Sequence, residues 1–422
     1  MFKNLTKRER AWVLYDVGNS AFTMLACSLL PIYFKALAIG EAPGQITGDQ
    51  ATAYYSIAIS VVTIIVAILG PICGALADHK GRKKFFFQTA VALGVAGCIL
   101  NGFAPTWVMF IVIFVLTKIF YSISLTIYDS MLNDITTEER MDEVSSYGYA
   151  WGYIGSCIPF LIAMVAYILG GGLSEDLMLI SPQVAKIIGF GVTGLWWLMV
   201  TLPLLKNYRQ MNYVEGEKGE IAAVFSQIFG TLKKIATEDK KVLYFLIAFF
   251  LYIDGVGTII DNCINIGTDL GLPAVGQVVF LLATQVVAFV GSLVFANLSK
   301  KFDTVPLILA CIVGYFCVCL YALTLNTLFD FGILAFGVGC FQGSIQSLSR
   351  SYFSKIIPAE NSGEYFGIYD IFAKGASFLG SAVIAWVKLA GGTINIAVAS
   401  LAIFFAVGFF FLRISDKQPL AK

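Results

Sequence analysis

GALADHKGRKK, residues 74–84, separates two apolar runs, 53–77 and 85–103, that are long enough to cross a bilayer. Irregular backbone cannot face lipid, so this turn belongs just outside the hydrocarbon. Each residue type suits that place. Asp78 can accept backbone N–H bonds at a helix start and pair with Arg82. Gly81 permits the positive φ that a short turn needs, and Lys80, Arg82, Lys83 and Lys84 hold the loop on the cytoplasmic side. A solvated basic loop would share these charges. It would not share the ordered pattern G-A-L-A-D-x-x-G-R-K.

Outward from that turn the chain stays apolar. Hydrophobic residues make up 58% of its 422 positions and charged ones 13%, with a mean hydropathy of +0.81. A water-facing surface needs nearer 25% charge, so a soluble core is excluded in favour of a multi-pass membrane protein. A ruler of about 20 apolar residues gives twelve spans. They run over 12–38, 53–77, 85–103, 107–132, 145–170, 184–205, 242–267, 275–298, 306–324, 330–352, 365–388 and 394–412. The first is no cleavable leader, because its apolar run is too long and contains Asp16 and Asn19. With the N-terminus inside, 23 of the 28 Lys and Arg residues fall on the inner side, which predicts that both termini are cytoplasmic.

The longest loop, 206–241, divides the spans six and six, predicting domains at 1–205 and 242–422. Phe225, Ile228, Phe229, Leu232, Ile235 and Ala236 recur within it at helical spacing beside Lys233 and Lys234. The loop is either an amphipathic helix on the membrane face or a plain linker. The two halves echo each other: LYDVGNS (14–20) with LYIDGVGT (251–258), and GYIGS (152–156) with SFLGS (377–381). Such internal duplication is typical of transporters. The expected fold is therefore all-α, with twelve transmembrane helices in two pseudo-symmetric six-helix bundles.

Ionisable groups inside the spans are the candidate functional residues. Asp254, Thr258, Asp261, Asn262 and Asn265 share one face of the seventh span, and Asp16, Asn19, Ser20 and Thr23 repeat the design in the first. Lys118, Tyr121, Ser122, Asp129 and Asn133 stripe the fourth, and Gln342, Gln346, Ser349 and Arg350 the tenth. Asp254 and Lys118 lie near mid-span, whereas Asp129 and Arg350 read as gate or boundary charges near the inner surface. Asp370 and Lys374 stand one turn apart and can neutralise each other. Tyr15, Tyr121, Tyr128 and Tyr252 border these stripes and are candidates to contact a solute. A carboxylate in a low-dielectric cavity can load and release a proton, which makes Asp254 the first coupling candidate and Asp16 the second.

The 74–84 pattern resembles the signature between the second and third helices of the major facilitator superfamily. The equivalent loop of the second half, LSKKFDT (298–304), has Lys300 for the Asp and Asp303 for the Gly, so it is expected to lack the latch. WVLYDVGNSAF (12–22), LNDITTEERMDEVSSYGYAWGYIGS (132–156), LYIDGVGTI (251–259) and LSRSYFSKIIPAENSGEYFGIYDIFAKGASFLG (348–380) are similar to blocks of the vacuole-effluxer-like branch. That branch contains the fungal autophagy-related vacuolar amino-acid effluxers and bacterial relatives. The resemblance implies that helices one, four, seven and ten line a central cavity, with Asp78, Gly81 and Arg82 as a conformational latch. For the fungal members it implies efflux of neutral amino acids.

The expected function is secondary active transport of a small polar or zwitterionic, amino-acid-like solute by alternating access. Asp16, Asn19, Lys118, Tyr121, Tyr252, Asp254, Asp261, Gln342 and Gln346 are the expected binding set, with a proton or else sodium as the coupling ion. The lipid bilayer is the expected surrounding, the cell (inner) membrane if the source is prokaryotic. Lipids, peptides or amphiphilic drugs are the alternative cargoes, and a sensor without transport is a further one. Nothing points to an enzyme, a cofactor, a metal or nucleic acid. The single histidine is His79, the nine cysteines form no CxxC pair, and GxxxxGK[ST] and GxSxG are missing.

Overall fold

The computed structural model describes residues 4–215, 221–375 and 378–420. The first half contains α1 (Lys7–Cys27), α2 (Leu29–Ala38), α3 (Gly48–Asp78), α4 (Lys83–Phe103), α5 (Trp107–Ser130), α6 (Leu132–Ile135), α7 (Met141–Tyr167) and α8 (Pro182–Asn207). After the linker helix α9 (Ile221–Thr237) come α10 (Lys240–Asp261), α11 (Cys263–Asp269), α12 (Ala274–Leu298), α13 (Thr304–Tyr321) and α14 (Leu328–Ile356). The chain closes with α15 (Ser362–Gly375), α16 (Phe378–Leu389), α17 (Ile394–Ser400) and α18 (Ala402–Lys417).

Local chemistry sets many of the helix starts. Thr6 with Glu9, Thr47 with Gln50 and Thr327 with Asp330 form reciprocal capping boxes on α1, α3 and α14. Among the described residues, eleven helices are long and apolar enough to span a membrane. The bent pair α1–α2 makes a twelfth. The first span expected from sequence is thus two helices meeting at 40°, with the Ser28 hydroxyl at the joint turned back onto the Met24 carbonyl. Apolar side chains such as Ile64, Ile68, Val112, Leu116 and Phe336 stay exposed on the outside of the bundle, as lipid-facing positions must.

Buried hydrophobic residues gather into two large cores, one between Leu5 and Tyr208, the other between Ile235 and Leu412. In the linker, Val224 and Ile228 of α9 are buried on Ile72, Ala75 and Leu76 of α3, while Phe225 and Phe229 remain exposed. Across the two cores, α3 and α15 meet backbone to backbone. A Cβ added to Gly74 would stand 2.0 Å from the Gly363 carbonyl oxygen, so neither position tolerates a side chain.

Asn4 and Gln418, near the two ends of the described residues, mark one end of the molecule, the terminal end, where Arg140 donates to the Asn4 carbonyl and Lys241 to that of Gln418. At this terminal end Tyr208 donates to Asp134 at 2.6 Å. Burial, together with the Asp134 carboxylate, holds the Tyr208 phenol well above its ordinary range, so it stays a donor.

Candidate functional site

Four helices converge on Arg350. Gln342, Gln346 and Arg350 occupy one face of α14 at four-residue spacing. The Arg350 guanidinium donates to Asp16 Oδ2 of α1 at 3.1 Å, Asp129 Oδ1 of α5 at 3.0 Å, and the Ser145 hydroxyl and carbonyl of α7 at 3.0 and 3.2 Å. It also lies against the rings of Trp12 (4.5 Å), Tyr149 (4.6 Å) and Tyr128 (5.5 Å). All of these partners belong to the other half of the chain. Trp12 and Tyr128 stack at 4.5 Å and exchange hydrogen bonds with each other's carbonyls, which fixes the box. Asn19 donates to the second Asp16 oxygen at 3.2 Å. Room for the ion pair comes from Gly148, where a Cβ would fall 2.3 Å from Asp16 Oδ2.

Two carboxylates thus share one buried cation. In a low dielectric that arrangement is one positive charge short.

Farther from the terminal end, Lys118 of α5 lies over the rings of Tyr121 (5.0 Å) and Phe22 (6.0 Å). The Tyr121 and Thr23 hydroxyls meet at 2.5 Å. Lys374 pairs with Asp370, which also accepts from Thr126 across the halves at 2.5 Å. Asp261 is exposed at the end of α10 and acts electrostatically on Lys118. On α14 the Gln342 and Gln346 amides face the Tyr153 phenol. Gln342 also lines a small apolar pocket with Ile259, Cys263, Gln285, Phe331 and Val338.

Two expected binding residues stand elsewhere. Tyr252 is fully buried in the second core with its phenol on Ser349 at 2.6 Å, because a buried hydroxyl needs a partner and α14 offers one. Asp254 is also fully buried and accepts from the Gly380 N–H of α16 at 2.9 Å. Neither side chain is presented to an open cavity in this conformation. The side chain of Asn265 lies outside the described residues.

The latch differs from the expectation in its cation. Asp78 accepts from the Gly363 and Glu364 amides at 2.8 and 2.9 Å, capping α15 from the other half. Its ion-pair partner is Lys83 at 3.0 Å, not Arg82. Lys83 is the first residue of α4; it turns fully inward and also donates to Ser362, whereas Arg82 sits half-buried at the cap position. Gly81 does take the positive φ, +76°. The second copy is not empty either. Lys300 pairs with Glu143 at 2.9 Å, and Thr304 donates to Asp142 at 2.7 Å. Asp142 also receives Ser351 (2.5 Å) and Lys355 (2.8 Å). In the first copy the loop brings the carboxylate to a helix start. In the second, the helix start brings the carboxylates to the loop.

Among the described residues, the polar contacts between halves gather from Thr126–Asp370 to the terminal end, while Lys118, Gln346 and Lys374 beyond them remain half-buried and Cys27 and Asp261 exposed. Sequence reasoning passed over Trp12, Ser145, Gly148 and Tyr149. Their only signal was membership of the quoted family blocks.

Comparison with known proteins agrees with this architecture. Residues 6–419 match the family described as "Vacuole effluxer Atg22 like". An "Uncharacterized MFS-type transporter YxiO" of Bacillus subtilis is 38% identical over 99% of this chain and 97% of its own. "Autophagy-related protein 22-1" of Neosartorya fischeri is 24% identical over 62% of this chain, which spans 46% of that longer relative. Among solved structures, FucP, an E. coli major facilitator transporter captured in the outward conformation, superposes with TM-score 0.72 at 16% identity, covering 97% of this chain and 99% of its own. The human organic anion transporter MFSD10 gives TM-score 0.68 at 12% identity, over 96% and 99%. These two likenesses establish the major facilitator fold, and the sequence match across nearly the whole chain places the protein in the vacuole effluxer Atg22-like family of MFS-type transporters.

Proposed function

We propose that this transporter couples a proton to the movement of a small zwitterionic, amino-acid-like solute. The two halves, 1–205 and 242–422, rock about a midplane site and expose it to each side in turn. The terminal end is assigned to the cytoplasm by the excess of Lys and Arg in its loops, and the cell membrane is the assigned location.

The observation that carries the reading is Arg350 held between Asp16 and Asp129 of the opposite half. Opening the terminal end pulls the guanidinium from both carboxylates, and each then faces a low dielectric alone. Protonation removes that cost, so proton loading and gate opening favour each other. Asp16 and Asp129 therefore carry the coupling, and Asp254 serves α16. Cations and carboxylates lining one interior space favour a zwitterion over a hydrocarbon cargo. The apolar pocket beside Gln342 suits an uncharged side chain.

The test is uptake of neutral amino acids into proteoliposomes, with and without an imposed pH gradient, in sodium and in choline. Uptake driven by the gradient and indifferent to sodium is expected. Uptake that follows sodium and ignores pH would reject proton coupling.

A further inference from the structure

The inference concerns which part of the cargo goes where, and it rests on the interior space being the transport site. Lys118 stands eleven residues into α5, about 17 Å along the helix from Trp107 at 1.5 Å per residue. Its side chain leaves the helix away from the exposed Val112 and Leu116 and lies over Tyr121 and the α1 ring of Phe22, so it points into the molecule.

The other ionisable groups around it are Cys27 of α1, Asp261 of α10 and Lys374 of α15. Lys374 is already matched by Asp370. The ion pairs among the described residues leave Lys118 out. Ring faces stabilise an ammonium only in part, and they cannot replace a counter-charge at this depth. Lys374 adds repulsion from the facing helix. Among the described residues no carboxylate therefore stands within ion-pair distance of this half-buried lysine, and Asp261 acts on it only from farther away.

We propose that Lys118 is the receptor for the carboxylate of the cargo. The carboxylate supplies the missing counter-charge, and the Asp370–Lys374 pair beside it stays neutral. The cargo's other end is then directed toward Gln342 and Gln346 on α14. A lysine suits the task because it is a point charge on a flexible stem and can release its ligand without breaking a bidentate fork.

Cys27 provides a readout that needs no transport. It is exposed and lies within the electrostatic reach of Lys118. In the full-length chain with its other cysteines replaced by serine, labelling of Cys27 by an anionic methanethiosulfonate should outpace the cationic reagent. Lys118→Gln should shift that rate ratio by about tenfold toward the cation, and Lys118→Arg should preserve it. L-alanine, L-leucine and L-phenylalanine are then tried as protectants, each beside its amide. Protection by at least one acid and by none of the amides is expected in the Lys118 protein, with loss of protection in Lys118→Gln. An unchanged reagent ratio in Lys118→Gln, equal protection by an acid and its amide, or protection by none of the three overturns the assignment. Proteoliposomes that protect Cys27 normally but ignore a pH gradient would instead count against the coupling and leave this site standing.

Discussion

Asp78 at the end of α3 and Gly363 at the start of α15 are joined across the two halves by a 2.8 Å bond from an amide that its own helix cannot satisfy. The contact ties the two halves together at the terminal end. Asp78→Asn keeps an acceptor but loses the negative charge that faces Lys83 and the α15 dipole. We expect the closed arrangement to lose population by about tenfold and the transport rate to fall, with solute affinity nearly unchanged. A saturation curve of initial rates separates the two, and an unaltered maximal rate would reduce the loop to a topology signal.

The second latch gives a graded expectation. Lys300 is substantially exposed, so its bond to Glu143 is weak and Lys300→Ala should cost under about 1 kcal/mol. Asp142 is buried and gathers Thr304, Ser351 and Lys355, so Asp142→Ala strands three donors and should cost about 3 kcal/mol or more. Thermal unfolding in detergent ranks the pair. Equal shifts would contradict the assignment.

Gly148→Ala tests the shared cation without touching any charge. The new methyl displaces Asp16 from Arg350, so gradient-driven uptake should drop while downhill exchange of solute persists. Asp129→Asn should give the same split between the two assays. Retention of full gradient-driven uptake by both variants would remove the proton role from this cluster.

The legible and illegible parts of this protein divide along a physical line. Spans, loop charge and polar stripes are local properties, and they located Asp16, Lys118, Tyr121 and Gln346 on the interior. Arg350 and Asp129 were demoted because depth along a helix places them near a surface. The structure buries them by closing the other half over that surface, which no single-helix argument contains. For the same reason the sequence shows Lys83 only as one of four inner-side charges, whereas the structure buries it on Asp78. Asp254 is buried, and one of its contacts, the Gly380 amide of α16, lies 126 positions away.

Topology is open to direct labelling. In a cysteine-free chain, Glu41→Cys and Asp176→Cys should react with an impermeant thiol reagent on intact cells. Lys84→Cys should react only after permeabilisation. Lys84 is chosen over its neighbour because it is exposed, whereas Lys83 is fully buried. Labelling of Lys84→Cys in intact cells would invert the assignment of the terminal end.

Asp254 makes the sharpest case, because two roles predict opposite outcomes for one substitution. As an acceptor for the Gly380 amide it needs an oxygen and not a charge, and Asn supplies that oxygen in nearly the same place. As a coupling site it needs the proton that Asn cannot carry. The acceptor reading therefore expects Asp254→Asn to keep gradient-driven uptake. Asp254→Ala, which leaves the buried Gly380 amide without this acceptor, should lose about 1 kcal/mol of stability, and uptake should fall with it. Both variants are compared in the same proteoliposome assay, alongside melting in detergent. Loss of uphill transport by Asp254→Asn, with exchange and melting unchanged, would move the coupling proton from the Arg350 cluster to α10.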